Sequence, residues 1–171
     1  SIKKIIEMFG YEVKKIDKKS LNFDDIYKMF FKDDLMIFDV GANKGQSIER
    51  FKKIFPLSTI HAFEPIPEVY SRFTETINAS EGRIKKNIKH LNFGLSDKKS
   101  TVTMALPIKN NFIGTGGARF VNYDYKPTVN EFIKQVEFQR GDNLFTSTNQ
   151  MWGLKIDVEG HELNTLKGMG S

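Results

Sequence analysis

Cysteine is absent from this chain of 171 residues. That excludes a disulfide framework, a thiolate-ligated zinc site and a thiol nucleophile, and it fits a reducing compartment. Long apolar runs are missing too; none approaches the roughly 18 residues needed to cross a bilayer. The opening Ser1-Ile2-Lys3-Lys4-Ile5-Ile6-Glu7 places an acid early and has no extended apolar stretch, so it does not read as a signal peptide. A cytoplasmic protein is the expectation. There is no internal repeat and no low-complexity tract. Two phosphate-binding fingerprints, Gly-x-Gly-x-x-Gly and Gly-x-x-x-x-Gly-Lys-Ser/Thr, are also lacking.

What is present suits one domain of ordinary size. Hydrophobic residues make up 39% and include 15 Phe, enough for a substantial core. The formal net charge is +5. The Lys pairs that produce it (Lys3-Lys4, Lys14-Lys15, Lys52-Lys53, Lys98-Lys99 among them) are scattered, and several sit beside Asp or Glu. This is the pattern of a solvated surface rather than a nucleic-acid groove. A weak preference for anionic small substrates is compatible with it.

Residues 1–34 read as an N-terminal helical extension. Ile2, Ile5, Ile6 and Phe9 share one helical face, and Ile26, Tyr27, Phe30 and Phe31 share another. The pattern then changes. Leu35 to Val40 is an almost continuous apolar run, as expected of a strand buried on both faces. A helix follows from about Gln46 to Phe55, stopped by Pro56. Thr59 to Glu64 is a second strand. Ile66, Val69, Tyr70, Phe73 and Ile77 mark a second helix. Ile88 to Leu95 reads as a third strand, and Thr101 to Leu106 as a fourth, paired locally through the turn at Asp97-Lys98-Lys99. Pro107 to Asn130 reads as a long loop. Its Gly114, Gly116 and Gly117, with Arg119, Tyr123 and Tyr125, suggest either a hinged lid over a substrate or a simple mobile hairpin. Val136 to Gln139 is a further strand candidate. Trp152 to Val158 is a last strand, followed by a helix from about His161 to Lys167.

Alternation of this kind implies an α/β fold with a doubly wound, mostly parallel sheet over residues 35–171. Such sheets bind ligands at the carboxyl ends of their strands. Here those ends carry Asp39, Glu64, the Gly94–Asp97 segment, and Asp157 with Glu159. In Asp39-Val40-Gly41-Ala42-Asn43-Lys44-Gly45, Gly41 permits a tight turn with room for a ligand, and Gly45 lets the next helix start close to the sheet. The free N–H groups of that helix suit a carboxylate. Glu64, nearly 20 residues on, is placed to accept both hydroxyls of a ribose. Together these features describe a nucleoside joined to a carboxylate-bearing tail, which is the shape of S-adenosylmethionine.

At the rim, Lys155, Asp157 and Glu159 alternate with apolar residues and so share one strand face. Asp157 is the first candidate for the group that takes a proton from a hydroxyl acceptor. His161 is either a second base or orienting group, or a helix-start residue facing solvent. Glu162 suits the helix dipole. A divalent cation on Asp157, Glu159 and His161 is permissible chemistry but is not expected.

The stretches Ile37 to Gly45, His61 to Pro65, Asn92 to Asp97 and Leu154 to Glu162 together resemble the FkbM-type family of S-adenosylmethionine-dependent methyltransferases. The resemblance runs from about residue 36 to 169. It implies a class I, Rossmann-like methyltransferase fold. It also implies Gly41, Asn43 and Gly45 around the methionine part, Glu64 on the ribose and Asp97 near the adenine. The activity implied is O-methylation of a small hydroxylated molecule, such as a sugar or another glycan unit. Sheets of this family continue with further strands after the helix ending near Lys167, so the C-terminal strands are expected to be missing. A catalytically silent cofactor-binding fragment and a nucleic-acid methyltransferase are the alternatives. The oligomeric state is left open.

Overall fold

The computed structural model describes residues 23–80, 82–109, 112–113, 116–122, 124–144 and 152–170. Lys32–Ser171 form one compact unit, and the helix α1 (Phe23–Phe30) belongs to the other, Ser1–Phe31. In α1, Asp24 and Asp25 occupy the first turn, where carboxylates complement the helix dipole. Tyr27 packs on Phe31, with ring centroids 6.4 Å apart, while Phe30 is exposed. The helix expected over Ile2 to Phe9 lies outside the described residues.

The compact unit is an α/β fold with one parallel and one mixed sheet. It begins with β1 (Met36–Val40), α2 (Gln46–Ile54), β2 (Thr59–Phe63), α3 (Pro67–Ala79), the short α4 (Gly82–Lys85) and β3 (Ile88–Leu91). There follow β4 (Gly94–Ser96), β5 (Ser100–Lys109), β6 (Phe112–Ile113), β7 (Arg119–Val121) and β8 (Glu131–Arg140). A 3-10 turn at Asp142–Leu144, β9 (Trp152–Ile156) and α5 (Glu162–Lys167) complete it. The first sheet has the order β3-β2-β1-β9 and the second the order β4-β8-β5-β6, with β7 also paired to β5.

The apolar run of β1 forms the central strand for the expected reason. Ile37, Phe38 and Val40 are all buried, and β1 has a parallel neighbour on each side. Phe38, Val40, Phe63 and Leu95 form one core cluster. Fully burying such side chains contributes roughly 1.5–3 kcal/mol each. Pro67 opens α3 at its first turn, where its missing N–H costs nothing. Ile66, just before α3, and Val69 within it join Met104, Leu106, Val136 and Phe138 in a second core cluster that ties this helix to the mixed sheet.

Three expectations need correcting. The strand expected over Ile88 to Leu95 is two strands: β3 pairs with β2, whereas β4 pairs with β8. Asn92 divides them, because its side-chain amide donates to Glu64 O at 2.9 Å and Pro65 O at 3.3 Å. Second, β5 does not pair with the strand before it; β8 lies between β4 and β5. Third, Pro107 to Asn130 is not a plain loop. It contains the end of β5, β6 and β7, and Phe120 of β7 sits opposite Met104 of β5. Among the described residues, no helix is long and apolar enough to cross a membrane.

Candidate active site

The register of the parallel sheet brings Val40 level with Phe63 of β2 on one side and Ile156 of β9 on the other. Their carboxyl ends therefore finish together. Beyond them, Gly41 N–H and Ala42 N–H both donate to Phe63 O at 3.0 Å, and Asp157 N–H donates to Val40 O at 3.0 Å. The corner that follows β1 turns through positive φ at Gly41 (80°), Asn43 (52°) and Gly45 (87°).

Each glycine of this corner has a definite neighbour. A Cβ on Gly41 would lie 2.0 Å from Asp157 O. The tight neighbour is thus the backbone leaving β9, not only the ligand space assumed from the sequence. A Cβ on Gly45 would come within 2.8 Å of the Phe73 ring of α3, so Gly45 sets how closely two helices approach.

Asp39 is wholly buried beneath the corner. Ser47 Oγ donates to its Oδ2, and Lys155 Nζ lies 3.1 Å from its Oδ1. The same ammonium donates to Gly41 O at 2.8 Å and stands 3.7 Å from Asp157 Oδ2. Lys155 thereby neutralises a carboxylate that would otherwise be costly to bury. Asp39 and Gly45 do not line the cavity above them; they hold its wall from behind.

Glu64 follows β2 and is only 4% exposed. Its Oε2 accepts Asn43 N–H at 3.0 Å and its Oε1 accepts Ile66 N–H at 2.9 Å. Burial pushes this carboxyl above the usual range, opposed by the two N–H donors and by Lys155. Each oxygen still has a lone pair to offer.

The cavity has two walls. One is formed by Val40, Gly41, Asn43 and Glu64, continued by Pro65 and Ile66. The other is formed by Gly94, Met104, Ala118, Phe120 and Phe138. Asp157, Val158, Glu159 and His161 lie along the rim. A Cβ on Gly94 would strike the Phe138 ring at 2.4 Å, so that ring lies directly on backbone.

The rim residues differ in character. The Asp157 side chain is 72% exposed and faces Lys155. Because β9 ends at Ile156, Glu159 is not on a strand face as expected; it occupies a turn with φ 51°. Glu162 Oε1 steadies that turn by accepting Gly160 N–H at 3.2 Å. The His161 ring packs against Phe120, at 4.6 Å, and Phe138, at 5.1 Å, and those two rings touch each other at 5.6 Å. Burial pushes its pKa below the ordinary value, opposed by Asp97 and Glu162. Its Nε2 is 3.0 Å from Ser96 Oγ. Asp97, expected beside an adenine, does not line the cavity; its carboxylate accepts Ser96 Oγ–H at 3.0 Å. Among the described residues, no three carboxylate or imidazole groups gather as a metal site.

The contacts assigned to a lid are also rearranged. Arg119 donates to Tyr125 Oη and pairs with Glu131, both at 2.5 Å. Tyr125 Oη donates to Glu131 at 2.7 Å. These groups tie the segment to itself, and Phe120, between them in sequence terms, is the side chain that reaches the cavity. Gly114 and Tyr123 lie outside the described residues.

The model of the methyltransferase FkbM domain matches residues 39–171, which spans the corner, both walls and the rim. The chain belongs to the FkbM-type family of S-adenosylmethionine-dependent methyltransferases. It is 30% identical over 141 residues to the hexuronic acid methyltransferase AglP of Haloferax volcanii, an alignment covering 80% of this chain and 51% of that protein. The chain thus spans about half the length of the curated relative it matches. Its fold is similar to the crystal structure of methyltransferase FkbM from Methylobacillus flagellatus KT, with a TM-score of 0.54 at 15% identity, covering 88% of this chain and 31% of that one.

The sequence marks the FkbM-type corner and the acidic strand ends, with Ser96 only as part of the Gly94–Asp97 segment. It does not single out Ser96, Met104, Phe120 or Phe138. The first is a small polar residue beside a more conspicuous Asp. The other three come from strands whose pairing is long-range.

Proposed function

We propose that this chain binds S-adenosylmethionine against the Gly41–Gly45 corner and transfers its methyl group to a hydroxyl oxygen of a sugar or similar small acceptor. The observation that carries this reading is Glu64: a buried carboxylate at the cavity wall, bonded to the corner through Asn43 N–H, in a chain of this family. Its remaining lone pairs suit two ribose hydroxyls, and the corner beside it suits the amino-acid part. The parallel sheet would belong to a doubly wound class I sheet, residues 35–171 its domain and residues 1–34 an extension of it. The name of AglP makes a hexuronic acid the first acceptor to try.

When bound, the cofactor supplies an electrophilic methyl: the acceptor oxygen forms a C–O bond while the S–CH3 bond breaks, leaving its electron pair on sulfur. The chain's own residues align the acceptor and receive its hydroxyl proton. Asp157 is exposed at the rim and ready to accept a hydrogen bond from the acceptor; Glu159 stands next to it.

Titration calorimetry with S-adenosylmethionine, followed by labelled-methyl transfer to a panel of uronic acids and neutral sugars, tests this. Binding and O-methylated product are expected. Absence of binding heat would remove the whole reading. The half-length match favours one competing reading, a binding fragment without turnover, which heat without product would identify. RNA or DNA binding that falls steeply with salt would favour a nucleic-acid acceptor instead.

A further inference from the structure

We infer that His161 takes the acceptor's proton on Nδ1, and that Ser96 and Asp97 are positioning residues that select this nitrogen. The inference rests on the methyl-transfer reading and adds to it a proton route.

A serine hydroxyl has one proton to donate. Ser96 Oγ gives it to Asp97 Oδ1, at 3.0 Å, because a carboxylate can only accept. Toward His161 Nε2, also at 3.0 Å, the same oxygen is left with lone pairs alone. It must therefore receive, and Nε2 must carry the hydrogen. In a neutral imidazole that leaves Nδ1 as the basic nitrogen. Nδ1 makes no hydrogen bond among the described residues.

The surroundings hold this arrangement still. Ser96 is 4% exposed. Asp97 is fixed through its backbone, where Arg140 Nη1 donates to Asp97 O at 2.7 Å. Phe120 and Phe138 form a three-ring cluster with the imidazole, and His161 itself lines the cavity. In the transfer step, the acceptor hydroxyl gives its proton to Nδ1 while Nε2 keeps its own. The positive charge so formed faces Ser96, whose Oγ–H points to the Asp97 carboxylate. The imidazolium then returns one proton to solvent, which restores the starting tautomer. This gives Asp97 a task other than contact with an adenine.

Two-bond nitrogen–proton correlation on the uniformly nitrogen-15-labelled chain reads the tautomer directly, with His161→Gln assigning the signal. The resting protein is expected to show Nε2 protonated and Nδ1 bare. Ser96→Ala should lose that preference and give averaged nitrogen frequencies, and Ser96→Thr should restore it. With any acceptor methylated in the panel above, Ser96→Ala should lower kcat more than KM, and His161→Gln should lower turnover by about 10²–10⁴-fold. A resting Nδ1–H tautomer, or a tautomer indifferent to Ser96→Ala, would overturn the inference. The tautomer is read without cofactor, so failure of S-adenosylmethionine to bind counts against the methyl-transfer reading alone.

Discussion

The two walls of the cavity are made of different material. The wall next to the parallel sheet is largely backbone: Gly41 and Ala42 bonded to Phe63 O, Asn43 N–H bonded to Glu64, and a lysine holding a carbonyl. The facing wall is largely side chain, with Phe120, Phe138, Met104 and Ala118 supplied by the mixed sheet. Backbone walls change little with sequence and suit a ligand that never changes. Side-chain walls vary freely and suit a ligand that does. On the proposed function, the first wall is the cofactor's and the second the acceptor's.

The harshest way to break this division is Gly41→Val. The new side chain meets Asp157 O and must adopt a positive φ. Overlap and strain together cost about 3 kcal/mol or more. Denaturant unfolding should record that loss, and calorimetry should find no cofactor binding. Asp157→Asn acts at the rim instead. It should leave the cofactor dissociation constant unchanged while turnover falls about 10–100-fold, the worth of one hydrogen bond to a charged group. An Asp157→Asn protein that no longer binds cofactor would place this residue in the first wall. Phe120→Ala sharpens the contrast from the other side. The ring it removes packs on His161, an aromatic contact worth about 0.5–1.5 kcal/mol, so turnover should fall roughly 3–10-fold, again with cofactor affinity unaltered.

The gentlest test is acid. Hydrogen bonds from Thr128 N–H and Tyr125, with the Arg119 pair, hold Glu131 down at about 2, from an ordinary 4.5. A carboxyl lowered on folding stabilises the folded state above its unfolded value. That contribution disappears as pH falls from 4.5 toward 2. Hydrogen exchange around residues 119–131 should therefore quicken over that interval before the parallel sheet opens.

The same division explains what could be read from the sequence. The parallel strands and their helices leave local signatures. β1 is an uninterrupted apolar run, α3 repeats its apolar residues at helical spacing, and the Gly41–Gly45 corner lies between two such elements. Glu64, Asp157 and His161 were visible because charged or titratable groups at strand ends are conspicuous. The second wall leaves no such trace. β7 is three residues long, too short for any period. The pairing of β4 with β8 joins Gly94 to Phe138 across 43 intervening residues, and no local pattern encodes it. Ser96 gains its importance only from what folding sets on either side of it.

The antiparallel pairing of β5 with β8 has a broader consequence. Pro107 and Glu131 are register partners, so the excursion between them stands on two adjacent feet. A loop so anchored can lengthen at small entropic cost, since doubling it adds only about 0.6 kcal/mol. The excursion carries Phe120 and touches none of the bonds that shape the Gly41 corner. On the proposed function, exchanging it is like changing a fitting on a fixed socket: the acceptor wall alters and the cofactor seat does not.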